Sequence, residues 1–185
     1  MGSPAGTTVV IVGDDSGAAV RALTGFQNVQ AASLAGRTDE EIARWTSTAQ
    51  TPYLVHDRDP LEHVAGAWTE FFDDQATLGT LRLEIDRTVD ALDRGALSIP
   101  DYYIVIDPES LPTTLRHWWL GVVSSAAPVR VIPWRGADAP IAPFLRRLPT
   151  SRPWPEHGTW LRSVTSAIPD RVGIDRASAD PGTAA

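Results

Sequence analysis

Cysteine and lysine are both missing from the 185 residues, so all sixteen basic side chains are arginine. Without cysteine there is no disulfide, no thiolate metal ligand and no cysteine nucleophile. Without lysine there is no phosphate-loop lysine and no Schiff-base lysine. Histidine is scarce: His56, His63, His117 and His157 show neither an i,i+4 pair nor an H-E-x-x-H spacing, so no zinc site is indicated. No apolar run approaches the roughly 20 residues needed to cross a bilayer. The first residues lack a basic stretch followed by an apolar one. These absences lead to the expectation of a cytoplasmic protein without a membrane partner.

Negative charge dominates what is present, and it is unevenly spread. Residues 1–110 hold seven arginines against eighteen acidic residues, and residues 111–185 hold nine against five. The acidic first part argues against nucleic-acid binding. The arginines of the later part leave room for a small anionic ligand.

The chain is organised around Thr7 to Gly17. Val9 to Val12 are four apolar β-branched residues without polar alternation, which suits a central strand covered on both faces of a parallel sheet. Gly13 and Gly17 bracket a turn that opens a helix near Ala18. A weaker strand is expected at Val29 to Leu34, a third at Pro52 to His56, a fourth at Tyr102 to Asp107 and a fifth at Val129 to Pro133. Between them, Thr38 and Glu41 are spaced as a capping box. From Leu61 to Leu97 apolar residues recur at helical spacing. One helix of that length would run about 50 Å, so a break is expected around Asp73 to Gly79. Further helices are expected at Leu111 to Ser125, Pro140 to Leu148 and His157 to Ile168. The fold expected is a three-layer, doubly wound α/β sheet of about five mostly parallel strands, flavodoxin- or Rossmann-like, with an extended helical segment between the third and fourth strands. Residues 1–171 form its single domain and 172–185 a flexible tail.

In such sheets ligands bind beyond the carboxyl ends of the strands. That edge carries Asp14, Asp15 and Ser16 after the first strand, His56, Asp57 and Asp59 after the third, and Asp107 and Glu109 after the fourth. Converging carboxylates suit a hard cation, so Asp14, Asp15, Asp57 and Asp107 are candidate Mg²⁺ ligands. An aspartate after a strand is also an ordinary helix cap: Asp59 is placed to cap the helix at Leu61. Ser16 and His56 could pair as nucleophile and base, though their spacing does not select them.

The Asp14-Asp15 pair and Asp57 resemble the acidic pocket and phosphoacceptor of a response-regulator receiver domain, and Val131-Ile132-Pro133-Trp134 occupies the place of that family's Lys-Pro pair. This chain lacks the lysine and has a longer segment between the third and fourth strands. The resemblance implies a relative that kept the scaffold without phosphotransfer.

Seven tryptophans are many for this length, and five fall after residue 111. Neighbours on a helix point about 100° apart, so Trp118 and Trp119 are not both expected to face inward, and the other is either buried against a neighbouring helix or exposed as an interface aromatic. With Arg116, Trp134, Arg146 and Arg147 they form a candidate interface. The leading expectation is a non-catalytic α/β binding or regulatory domain that associates with a protein partner or with itself. The alternative is a Mg²⁺-dependent enzyme acting on a phosphorylated or nucleotide substrate at the acidic edge.

Overall fold

The computed structural model describes residues 6–135, 140–150 and 152–167. Five strands, β1 (Thr7–Gly13), β2 (Val29–Ala32), β3 (Tyr53–His56), β4 (Tyr102–Ile106) and β5 (Val131–Trp134), form one sheet in the order β2-β3-β1-β4-β5. Every neighbouring pair is parallel, with Val9 opposite Val55 on one side and Tyr102 on the other. β1 is therefore central, as its unbroken apolar run requires.

Alternate residues of β1 and β4 feed two cores. Val10, Val12, Tyr103 and Val105 pack with α3 (Glu62–Phe72), α4 (Leu78–Asp93), the helix that starts at α5 (Thr113–His117), and α8 (His157–Ser163). Val9, Ile11, Ile104 and Ile106 pack with α1 (Ser16–Ala22) and α7 (Ile141–Leu145). α2 (Asp39–Ser47) joins the first face by laying Trp45 edge-on against His56, ring centroids 5.9 Å apart. The result is the expected three-layer, doubly wound α/β fold. Its order differs from the 2-1-3-4-5 of receiver domains, because β3 rather than β1 lies beside β2. The lateral arrangement implied by the receiver resemblance is therefore absent.

Local chemistry sets the helix boundaries. The Thr38 hydroxyl accepts from the Glu41 N–H while the Glu41 carboxylate takes the Thr38 N–H, closing the capping box. α3 stops at Phe72, Asp74 turns left-handed at φ 59°, and Thr77 caps α4 by accepting from the Thr80 N–H. The expected break thus makes two helices.

The helix beginning at Thr113 departs from expectation. It widens to a π-helical stretch over Trp118–Val123 before a last α-helical turn, α6 (Ser124–Ala126), and it buries both tryptophans. It lies in the corner between the sheet and α3. Trp119 packs on Tyr103 of the sheet at 4.9 Å and Trp118 on Trp68 of α3 at 5.6 Å. Two surfaces meeting at an angle cover two neighbouring side chains at once, so neither faces outward. Among the described residues no helix is long and apolar enough to cross a membrane. Ile168 and the expected tail lie outside the described residues.

Gly13 ends β1 at φ 104°, and a Cβ there would stand 2.5 Å from the Ile106 carbonyl oxygen of β4. Gly13→Ala meets both a disfavoured backbone angle and a backbone clash. It is expected to lower stability by about 2 kcal/mol or more in urea denaturation.

Candidate functional site

β1 sends the chain to the β2 side of the sheet and β4 sends it to the β5 side, so the strand order reverses between β1 and β4. The turns after these two strands are tied across that point, where the Ser110 hydroxyl donates to Asp14 Oδ2 at 3.0 Å. Asp15 and Asp107 sit beside it in left-handed conformations, φ 58° and 41°, which aspartate tolerates in turns.

Next to this junction a cleft of about 560 Å³ opens on the α3 face of the sheet, within the roughly 300–1,000 Å³ usual for small-molecule sites. Val12, Gly13 and Ser16 come to it from the end of β1, Arg37 from the turn after β2, and Asp57, Arg58 and Asp59 from the turn after β3. The first turns of α3 supply Glu62, His63 and Gly66, and Trp119 forms part of the far wall.

Asp59 is 8 % exposed. Its Oδ1 accepts from the Leu61 N–H at 2.8 Å, the cap expected from sequence, and from the Tyr103 hydroxyl at 3.1 Å. Among the described residues Oδ2 has no such partner, which leaves it as the carboxyl's available atom at the cleft. Burial pushes the Asp59 pKa up to about 7; the two hydrogen bonds only partly oppose it. Tyr103 is fully buried, and burial together with the adjacent Asp59 raises its phenol well above the ordinary value.

The sequence-derived candidates divide. Ser16 and Asp57 line the cleft, but the Asp57 carboxylate is turned to the strand beside it. It accepts from the Ser33 hydroxyl and from the N–H groups of Leu34 at 2.6 Å and Ala35 at 3.1 Å, so it anchors the turn after β2. His56 is buried under Trp45. Desolvation pulls its pKa down to about 4, against the attraction of Asp57. The Asp107 N–H donates to the Trp134 carbonyl at 2.7 Å, and Glu109 pairs with Arg116 at 2.7 Å. Among the described residues no three His, Cys, Asp or Glu side chains gather as a group able to hold a metal ion, so Asp14, Asp15, Asp57 and Asp107 are not brought together as a Mg²⁺ site.

The candidate interface disperses as well. Trp118 and Trp119 are core residues, Trp134 packs on Phe144 at 4.9 Å, and Arg146 and Arg147 are exposed. Arg146 borders a smaller groove of about 150 Å³ with Phe26 and Tyr53.

Asp59 and Tyr103 are the pair that sequence reasoning missed as a site. The signal was a tyrosine inside a strand covered on both faces, since a buried phenol requires a hydrogen-bond partner. Comparison of the chain with protein-family models, with curated proteins and with solved structures gives no match.

Proposed function

We propose that the protein is a non-catalytic α/β binding or regulatory domain whose ligand, a small molecule, occupies the carboxyl-edge cleft. One observation carries this reading: a carboxyl that is almost wholly buried lines an open, ligand-sized cleft, and one of its oxygens is engaged by no described residue. A buried carboxyl whose pKa is shifted at the wall of a cleft is the kind of group around which functional sites are built. Association through Trp118 and Trp119 loses its support because both are core residues. The alternative of a Mg²⁺-dependent enzyme gains none, because among the described residues no three His, Cys, Asp or Glu side chains gather around a common point.

Gly66 supplies the test. It lines the cleft from within α3, and a Cβ added there meets nothing within 4 Å. Leucine at this position improves helix propensity by up to about 1 kcal/mol while filling the cleft. In a thermal-shift screen of small molecules, ligands are expected to raise the melting temperature of the wild type and not that of Gly66→Leu. Equal shifts in the two proteins would refute the assignment.

A further inference from the structure

We propose that the ligand of this cleft is a small organic anion with an apolar body, and that Asp59 receives it as an acid, donating from Oδ2 to one of its oxygens. This rests on the cleft being the binding site and adds the ligand's charge and the proton that accompanies it.

The ionisable groups that share the cleft with Asp59 are Arg37, Asp57, Arg58, Glu62 and His63, and Tyr103 of β4 donates to it. From the end of β1 and from the helix carrying Trp119, the cleft receives no ionisable side chain. The Asp57 oxygens are already taken up by the Ser33 hydroxyl and two backbone N–H groups. Glu62 pairs with Arg58, and Arg37 pairs with Glu41 at 3.2 Å outside the cleft. Arg37 and Glu41 are both well exposed, so an incoming anion competes for the Arg37 guanidinium at little cost.

An asymmetry then decides the sign of the ligand. Arginine keeps its charge throughout the accessible pH range, so a cationic ligand would meet two fixed like charges. A buried carboxyl sheds its charge by taking a proton, and burial already biases Asp59 that way. A ligand that seals the cleft removes more water from Asp59 and strengthens the bias. The protonated oxygen then has a hydrogen to donate, while Oδ1 keeps the Leu61 N–H and the Tyr103 hydroxyl. Val12 and Trp119 offer apolar surface for the ligand's body.

The probe is anilinonaphthalene sulfonate, an apolar-bodied anion whose charge does not change between about pH 6 and pH 9, titrated by fluorescence into the full chain. Wild-type affinity is expected to fall about tenfold per pH unit once the pH exceeds the Asp59 midpoint, the slope of one linked proton. Asp59→Asn keeps the oxygen acceptor and replaces the acid hydrogen by a permanent amide donor, so it is expected to bind with affinity independent of pH. His63 also lines the cleft, and His63→Gln is the control, expected to retain the wild-type slope. A slope that survives in Asp59→Asn or vanishes in His63→Gln overturns the role of Asp59. Wild-type binding that is independent of pH but abolished by Gly66→Leu overturns the proton linkage and leaves the cleft assignment standing. Binding undiminished in Gly66→Leu, or no binding to the wild type, overturns the inference as a whole.

Discussion

Asp59→Asn is expected to gain about 4 kcal/mol of folding stability on the wild type as the pH is raised from about 4 to about 8. The folded protein holds the Asp59 proton up to about pH 7, against an ordinary value of 3.8 in the unfolded chain. Between those values the folded state binds one more proton than the unfolded state, so wild-type stability falls as pH rises through the window and levels off above it. A shift of about 3 units at about 1.4 kcal/mol per unit gives the magnitude. Asparagine has no proton to lose and keeps an oxygen for the Leu61 N–H and the Tyr103 hydroxyl. Urea denaturation at a series of pH values reads the difference directly. Wild-type and variant curves that run parallel would mean that Asp59 ionises at an ordinary pH in the folded protein.

His56→Phe is expected to change the pH profile in the opposite direction. Burial holds the folded imidazole neutral down to about pH 4, whereas the unfolded chain accepts a proton from 6.5 downward. Wild-type stability from this group is therefore lost as pH falls through that window, by about 3 kcal/mol over some 2.5 units. Phenylalanine keeps an aromatic ring against Trp45 and removes the buried titratable imidazole. The consequence is visible only when the two variants are compared. Between about pH 4 and pH 6.5 the slopes of Asp59 and His56 oppose and nearly cancel in the wild type. Asp59→Asn leaves the His56 slope, so its stability should rise with pH in this range. His56→Phe leaves the Asp59 slope, so its stability should fall. Single variants that both track the wild type would show that neither group is held in its neutral form.

The strands were legible in the sequence because their cause is local. Val9 to Val12 and Tyr102 to Ile106 are apolar on both alternating faces, which only a strand covered on both sides tolerates. The capping box at Thr38 and the break before Leu78 were legible for the same reason, since the residues that make them lie within one turn of each other. Strand order was not, because periodicity says nothing about which strand lies beside which. The placement of β3 between β2 and β1 decided the fate of Asp57: it brings the turn after β2 within reach, and that turn takes up a carboxylate that otherwise read as a ligand.

Of the two alternatives for the tryptophan pair, burial against a neighbouring helix is the one borne out, with Trp118 on Trp68 of α3. The 100° rule holds for a helix packed on one surface, and the helix of Trp118 and Trp119 packs on two. Asp59 was half legible. Its capping contact lies two residues away and was expected, while the Tyr103 hydroxyl that completes its burial comes from 44 residues further along the chain. The candidate site of highest interest is therefore one that the fold assembles around a residue whose local role was already accounted for.

The most direct measurement is the pattern of backbone amide shifts when anilinonaphthalene sulfonate is titrated into the isotopically labelled chain at about pH 6. The expected result is a contiguous set of shifts at Gly13, Ser16, Arg58, His63 and Gly66, joined by the Trp119 indole. Shifts confined to the groove of Phe26, Tyr53 and Arg146, or spread without focus over the surface, would contradict the assignment of the carboxyl-edge cleft as the binding site.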